Sequence, residues 1–263
     1  MNSHEFKEFL DEKAAQYEQV HFLEKDPIQI PHSFEKKEDI EISGFLVATI
    51  AWGNRVSIIK NGKRMMELMD NDPYSFILNH SEKELNSLKS FVHRTFNGTD
   101  FIYFVQSLQN IYLKHSGLEK VFSKDFQAER MDNNIHHFKK IFFELPHQIR
   151  TEKHVSDPVK GSAAKRINMF LRWMVRPATK KVDFGIWNRI STKQLSCPLD
   201  IHSGSVARDL QLLKRKQNDL KALIELDTVL RSFDPVDPVK YDFALFGLGV
   251  NEDFNTKDIT LKL

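Results

Sequence analysis

Apolar residues recur along the chain at the three- and four-residue spacing of α-helices, and no segment alternates long enough to indicate a strand. The spacing predicts helices over 3–20, 39–52, 56–70, 100–115, 118–147 (as one helix or two), 201–213, 218–232 and 239–248. The helix at 39–52 is apolar on nearly all sides, which is typical of a helix in a protein core. The pattern therefore predicts an all-α fold.

Residues with known capping chemistry predict where several helices begin and end. Ser81 and Glu84 have the spacing of a capping box, and Pro73 suits the first turn of a short helix. Gly53 is expected to end the helix at 39–52. In the same way, Gly247 and Gly249 are expected to end the last helix.

A basic stretch at residues 158–182 contains seven lysine or arginine residues and no acidic residue. Gly161 suits a turn, and the hydroxyl of Ser162 is expected to cap the helix that follows. Four apolar residues of that helix share one face: Ile167, Phe170, Leu171 and Met174. Three cations share the opposite face: Lys165, Arg172 and Arg176. A basic face that begins with exposed N–H groups suits a phosphate backbone, although such a face is most often simply solvated.

Composition limits the kinds of protein that this chain can be. Its 263 residues, of which 41% are hydrophobic and 28% charged, are enough for a substantial core. Because the net charge is only +2, binding to nucleic acid requires a local basic patch. The single cysteine, Cys197, excludes an internal disulfide, a cysteine-based zinc site and a four-cysteine iron–sulfur cluster.

The sequence also predicts a cytoplasmic protein. Residues 1–7 mix acids and bases and lack the apolar run of a secretory signal. The longest apolar stretch, residues 45–52, is too short to span a bilayer. A chain with one cysteine is suited to a reducing compartment.

Lys165 and Asp200 are the candidates for chemistry. An unprotonated lysine amine can attack an aldehydic carbon to form a Schiff base, and neighbouring cations such as Arg166 favour the unprotonated form. An aspartate beside it can stabilise a sugar cation or assist proton transfer. Considered alone, one lysine and one aspartate are usually surface charges.

Two sequence runs carry a resemblance to a known family: residues 161–176 (GSAAKRINMFLRWMVR) and residues 198–202 (PLDIH). Together they resemble the helix-hairpin-helix (HhH-GPD) DNA glycosylase superfamily. In that superfamily a hairpin leads into a helix that starts at a catalytic lysine, and an aspartate follows in a Pro-Val-Asp-Val-His-like context. The similarity is closest to an uncharacterised bacterial branch that resembles 8-oxoguanine DNA glycosylase/AP lyases. It spans roughly residues 39–250, because residues 52–55 and 241–249 are also typical of that branch.

The resemblance implies a two-lobed, all-α fold with a cleft between the lobes, and a function in base-excision repair of DNA. Residues 1–38 are expected to form an N-terminal helix and connection. Residues 39–263 are expected to form the glycosylase-like domain, with the hairpin and catalytic helix at about 155–176. The implied partner is double-stranded DNA with a damaged base, which must leave the stack to be reached. A nucleoid-associated monomer is expected, with no membrane and no metal or organic cofactor.

The resemblance also assigns roles to individual residues. Lys165 matches the nucleophilic lysine and Asp200 matches the catalytic aspartate. His202 matches a position near the flipped nucleotide, and Asn54 matches the residue that fills the gap left by the extruded base. Further contacts to the substrate or to DNA are expected from Arg55, Lys160, Gly161, Ser162, Arg166, Arg172 and Trp187.

The chain departs from the family pattern at the hairpin, where residues 157–162 hold one glycine in place of a Leu-Pro-Gly-Val-Gly run. Residues 183–187, in the interval before Asp200, are expected to form a short helix near the pocket. Two other classes of function stay open: a non-catalytic nucleic-acid-binding protein that kept the fold, and a small-molecule enzyme that uses the same cleft. For Asp242, a pocket role and a helix-cap role are both open.

Overall fold

The computed structural model describes residues 3–125 and 127–251, and most of them are helical. The helices are α1 (Ser3–Tyr17), α2 (Lys37–Thr49), α3 (Arg55–Glu67), α4 (Pro73–Asn79), α5 (Glu82–Ser87), α6 (Gly98–Lys114), α7 (Leu118–Phe122), α8 (Asp132–Phe142), α9 (Lys165–Val175), α10 (Ile201–Asp209), α11 (Leu220–Phe233) and α12 (Tyr241–Asn251). Two short strands, β1 (Val92–His93) and β2 (Phe96–Asn97), pair antiparallel. With the short 3-10 helices included, helices hold 66% of the described residues and strands 2%, so the prediction of an all-α protein is confirmed. In the described ranges, no helix combines the length and the apolarity needed to cross a bilayer.

Several helix ends lie where the sequence predicts them. Ser81 caps α5 and forms a capping box with Glu84, and Pro73 is the first residue of α4. Other helices are shorter than predicted, since α1 ends at Tyr17 and α10 ends at Asp209. The capping signals at Pro73 and Ser81 therefore predicted two helix starts correctly, whereas periodicity overestimated the lengths of α1 and α10.

The buried helix α2 ends at Thr49, before the predicted stop. Gly53 lies in the link to α3, with a φ of +96°. Asn54 is the N-cap of α3, because its side chain accepts a hydrogen bond from the backbone N–H of Ser57 at 3.1 Å. An asparagine at this position satisfies one of the N–H groups that a helix start leaves free.

The expectation that Gly247 and Gly249 end the last helix is wrong, because α12 continues through both. A Cβ atom on Gly247 would lie 2.1 Å from a ring carbon of Tyr17, which is the last residue of α1. The glycine therefore allows α1 and α12 to approach each other more closely than any side chain would permit.

By its internal packing the chain divides into two compact units. Unit 1 comprises the described residues of 1–22, 127–133 and 157–263, and unit 2 those of 23–126 and 134–156. The helices α1 and α9 to α12 thus belong to unit 1. The division into residues 1–38 and 39–263 that the resemblance implies concerns the extent of a glycosylase-like domain, and it stays a prediction.

Each unit has its own apolar core. In unit 1, α12 packs against α1 and α10, and buried leucines such as Leu10 and Leu245 fill the space between them. In unit 2, the core is rich in phenylalanine, and the rings of Phe45 and Phe104 stack with their centroids 5.8 Å apart. Burial of such side chains is the main favourable contribution to folding in each unit.

Candidate active site

Unit 1 brings Lys165 and Asp200 together. The Nζ atom of Lys165 lies 3.5 Å from Oδ2 of Asp200, so the two side chains form an ion pair. The lysine side chain is 29% exposed and the aspartate side chain 25%, so a ligand can reach both. An accessible amine beside a carboxylate has the groups that Schiff-base chemistry uses, a nucleophile and a proton acceptor.

A tight turn leads into Lys165, the first residue of α9. Gly161 has a φ of +91° and Ala164, the residue before the helix, has a φ of +45°. Ser162 is not the N-cap that the sequence predicts. Its hydroxyl accepts a hydrogen bond from the N–H of Ala164 at 3.1 Å, and the helix begins only after that residue.

Asp200 is oriented by the start of α10. Its Oδ1 accepts hydrogen bonds from the backbone N–H groups of His202 at 2.8 Å and of Ser203 at 3.0 Å. In return, Oγ of Ser203 accepts from the N–H of Asp200 at 2.9 Å. Because Oδ1 is engaged with the helix, Oδ2 is the oxygen that meets Lys165. One helix cap therefore both stabilises α10 and directs the carboxylate.

Asp242 of α12 is a buried carboxylate close enough to this pair to interact with its charges. Its Oδ2 accepts a hydrogen bond from Nη1 of Arg172 at 2.5 Å, and its Oδ1 lies 3.8 Å from Sγ of Cys197. Burial raises the pKa of Asp242 to about 6. The negative charge of Asp200 acts in the same direction, while Arg172 and Lys165 oppose the shift. The site thus contains a carboxyl group that titrates close to neutral pH.

The sequence predicts that Arg172 and Arg176 lie on an exposed basic face of α9. This prediction is wrong, because the two residues are only 3% and 5% exposed. Besides its bond to the α12 carboxylate, Arg172 has its Nε 3.3 Å from Oδ1 of Asp183. Arg176 contacts Glu18 and Asp183 at 2.7 Å and Asp237 at 2.9 Å. Burial alone would lower the pKa of Arg176, but these carboxylates raise it overall. Both arginines are therefore held in buried ion pairs and do not form a surface for phosphate.

Trp187 is also buried, with 2% of its surface exposed. Its ring meets that of Phe170 edge-on, with the centroids 5.4 Å apart, so packing accounts for its position. Residues 183–187 do not form the short helix that the sequence suggested. They run as an irregular segment whose backbone bonds to α9, with the N–H of Trp187 donating to the carbonyl of Met174 at 3.0 Å.

The other predicted residues are distributed over both units. Lys160 and His202 are exposed in unit 1, on the turn before α9 and on the first turn of α10. Arg166 is half-buried beside Lys165 in the sequence, and burial lowers its pKa to about 10. Asn54 and Arg55 lie in unit 2, at the start of α3.

A family model matches most of the sequence. Residues 26–251 match the model of a family described as "Protein of unknown function (DUF2400)". The chain belongs to this family. No curated protein and no solved structure matches it. The matched range includes every candidate residue of the site, so the Lys165–Asp200 pair lies within the region that defines a DUF2400 protein.

Asn218 is a residue of this DUF2400 chain that sequence reasoning missed. Its Nδ2 donates a hydrogen bond to the backbone carbonyl of Asp200 at 2.7 Å, and its Oδ1 accepts one from Nη2 of Arg208 at 2.5 Å. No local pattern marks the residue, because its main contact is 18 residues away in the sequence. Asn218 fixes the backbone of the residue whose side chain meets Lys165.

Within residues 3–125 and 127–251, no three His, Cys, Asp or Glu side chains are grouped so that they could hold a metal ion. The carboxylates of the site are engaged with cations, Asp200 with Lys165 and Asp242 with Arg172. The prediction that neither a metal nor an organic cofactor takes part stays a prediction.

Proposed function

We propose that this DUF2400 chain is a DNA base-excision glycosylase with AP lyase activity, related to the helix-hairpin-helix superfamily. Its substrate would be a damaged base, such as an oxidised purine, in double-stranded DNA. The observation that supports the proposal is the 3.5 Å approach of Lys165 Nζ to Asp200 Oδ2, with both side chains partly exposed. These are the two positions that resemble the catalytic lysine and aspartate of the superfamily. In this proposal the protein acts as a nucleoid-associated monomer.

In the proposed reaction, Nζ of Lys165 attacks C1′ of the sugar, and the glycosidic bond breaks with its electron pair going to the departing base. The lysine attacks as the free amine, after one of its protons has passed to Asp200, and a second proton leaves its nitrogen for the departing base. The C1′–O4′ bond then breaks, O4′ takes the proton held by Asp200, and the open sugar is left as a protonated imine. Asp200, again a carboxylate, removes a proton from C2′, and the bond between C3′ and the phosphate oxygen breaks with its electron pair going to the phosphate, which cleaves the strand. Asp200 accepts the proton from the lysine and offsets the positive charge that develops on the sugar.

Borohydride trapping tests the proposed chemistry, because the reagent reduces a lysine–sugar imine to a stable covalent link. Wild type and Lys165→Ala are incubated with duplexes that carry an abasic site, 8-oxoguanine, uracil or no lesion. Lys83→Ala is the control, because Lys83 is exposed in unit 2 between two glutamates. We expect an adduct on a lesion-bearing duplex with wild type and with Lys83→Ala, and none with Lys165→Ala.

The absence of an adduct on every duplex, with folded wild-type protein, would remove the lyase claim. An adduct that persists in Lys165→Ala would assign the imine to another lysine. Release of free base without an adduct would leave a glycosylase that uses water as its nucleophile, with Asp200 as the residue to test next.

A nucleic-acid-binding protein without catalytic activity is the second candidate. The departure that favours it is the hairpin at residues 157–162, which has one glycine where the enzymes have two. Such a protein would bind duplexes with a strong salt dependence that Lys165→Ala leaves unchanged, and it would release no base. Base-release assays on the same duplexes separate the two candidates.

A further inference from the structure

The backbone N–H groups of the turn before α9 form hydrogen bonds within the turn itself. Within residues 157–162, the N–H of Val159 donates to the side chain of Asp157 at 3.1 Å. The N–H groups of Lys160 and Ser162 donate to the carbonyl of Asp157 at 3.2 and 3.3 Å, and that of Gly161 donates to the carbonyl of Pro158 at 2.7 Å. These four donors are therefore satisfied inside the turn. A phosphate bound here would have to be held mainly by side chains.

A second loop is attached to this turn. The loop comprises residues 214–219 and is called the clamp loop below. Directly after it, the N–H of Leu220 donates to the carbonyl of Gly161 at 2.9 Å, and Asp219 forms an antiparallel bridge with Ser162. At the same time, Asn218 of the clamp loop donates to the carbonyl of Asp200 at 2.7 Å. The clamp loop thus contacts the segment that leads into Lys165 and the segment that carries Asp200.

Four exposed lysines lie in or next to the segments that meet at this junction. They are Lys160 in the turn, Lys214 and Lys216 in the clamp loop, and Lys221 just after it. In the part of the chain that the structure describes, no carboxylate pairs with any of the four lysines. Two acidic residues next to these lysines have other partners: Asp219 bonds to the guanidinium of Arg215, and Glu225 accepts from the backbone N–H of Lys214 at 2.6 Å.

We propose that Lys160 and the clamp loop form the phosphate-binding surface of unit 1, with Lys214 and Lys216 as its main contacts. The ligand is the phosphodiester backbone of a nucleic acid, and the contact is independent of base sequence. Ammonium groups of the clamp loop take the place of the backbone N–H groups that the turn uses internally. The proposal rests on the proposed function only for the identity of the polymer, since it requires binding and no chemistry.

Salt titration of duplex binding measures such contacts directly. The variant Lys214→Gln/Lys216→Gln removes two charges without removing a hydrogen-bond partner of the fold. The control Lys25→Gln/Lys83→Gln removes the same charge from exposed lysines that neighbour glutamates in the sequence. Affinities for an undamaged duplex and for one with a reduced, uncleavable abasic site are measured between about 50 and 200 mM salt.

Each lost phosphate contact reduces the slope of log K against log salt by about 0.9, so the clamp-loop variant is expected to lose about 1.8. At 0.1 M salt the same loss corresponds to roughly 60-fold weaker binding. The control is expected to keep the wild-type slope. Circular dichroism and a thermal melt of each variant confirm that both fold.

An unchanged slope in Lys214→Gln/Lys216→Gln would overturn the clamp-loop proposal, as would an equal loss of slope in the control. Failure of wild type to bind either duplex would overturn it as well. These outcomes are separate from the fate of the proposed reaction. If an adduct is trapped but Lys214→Gln/Lys216→Gln keeps the wild-type slope, the lyase stands and the phosphate-binding surface does not. If that variant loses slope but no adduct forms, the surface stands and the lyase does not.

Discussion

The two oxygens of Asp200 have different partners, and a single substitution can separate their roles. Oδ1 accepts the cap bonds of α10, and Oδ2 meets Lys165. Asparagine caps a helix about as well as aspartate does, but its amide has no negative charge and cannot take a proton from an amine. The cap and the chemistry should therefore respond differently to the same change.

Asp200→Asn is expected to lower the rate of base release by about 10²–10⁴-fold, the usual contribution of a positioned acid or base. The free energy of unfolding should change by less than about 1 kcal/mol. Single-turnover base release and urea unfolding measure the two effects. Asp72→Asn makes the same substitution at the cap of α4 in unit 2, and it should leave base release at the wild-type rate. A large loss of stability in Asp200→Asn would show that the charge serves the fold.

Asp242 predicts a dependence of stability on pH. Its pKa is about 6 in the folded protein, against 3.8 for an ordinary aspartate. The folded state therefore binds a proton more readily than the unfolded state, and this contribution to stability is present below pH 3.8 and lost as pH rises through 6. Since one pKa unit corresponds to about 1.4 kcal/mol, the loss approaches 3 kcal/mol.

Asp242→Asn removes this titration, so the stability of the variant relative to wild type is expected to rise between about pH 4 and pH 7. Urea unfolding at several pH values measures the difference, and taking the difference removes the titrations that the two proteins share. A relative stability that stays constant over this range would show that Asp242 is ionised in the folded protein throughout.

Both residues of the candidate pair could be predicted from the sequence, but the ion pairs around them could not. The runs around Lys165 and Asp200 are local in sequence, so a resemblance can carry them. Arg172 and Arg176 were misplaced because periodicity shows only that they share a face. The carboxylates that cover that face come from distant segments, including Glu18 in the N-terminal part of the chain. Whether a polar face is solvated or buried in ion pairs depends on tertiary contacts.

At the scale of elements, the capping signals predicted two helix starts correctly but neither the start of α9 at Ser162 nor the end of α12. Pro73 and the Ser81 capping box act through bonds within one turn, and both were found where expected. Gly247 and Gly249 were interpreted as a stop, because glycine is common where helices end. In α12 the reason for Gly247 is the ring of Tyr17, which no local pattern can show.

Gly247→Ala tests that interpretation. The added methyl would overlap the Tyr17 ring, so we expect the free energy of unfolding to fall by about 1–3 kcal/mol, despite the better helix propensity of alanine. Gly249→Ala is the matched control. Its Cβ would come no closer than 3.1 Å, to a methyl group of Val206, and its stability should stay within about 0.5 kcal/mol of wild type. Equal effects at the two positions in urea unfolding would contradict the close approach of α1 and α12.

At the scale of the whole molecule, the two units are built from different parts of the chain. Every residue of unit 2 lies between 23 and 156, and its core includes the stacked pair Phe45 and Phe104. Unit 1 combines the first helix with the last four, α9 to α12. The helix that packs most extensively on α1 is α12, and the apolar side of α1 is buried in the shared core.

This pairing has a consequence for synthesis on the ribosome. About 220 residues separate the end of α1 at Tyr17 from the start of α12 at Tyr241. At roughly 5–20 residues per second, α1 emerges about 10 to 45 s before its partner exists, whereas unit 2 can fold as soon as its last segment appears. In a chain whose translation is arrested before α12, the amides of α2 and α6 should be protected from hydrogen exchange. The amides of α1 should not be protected. Protection of α1 in the arrested chain would mean that another surface shelters it. If α1 is unprotected, Phe6 and Leu10 stay exposed during this interval to any chaperone that binds apolar helices. The rate of translation then determines the length of the exposure.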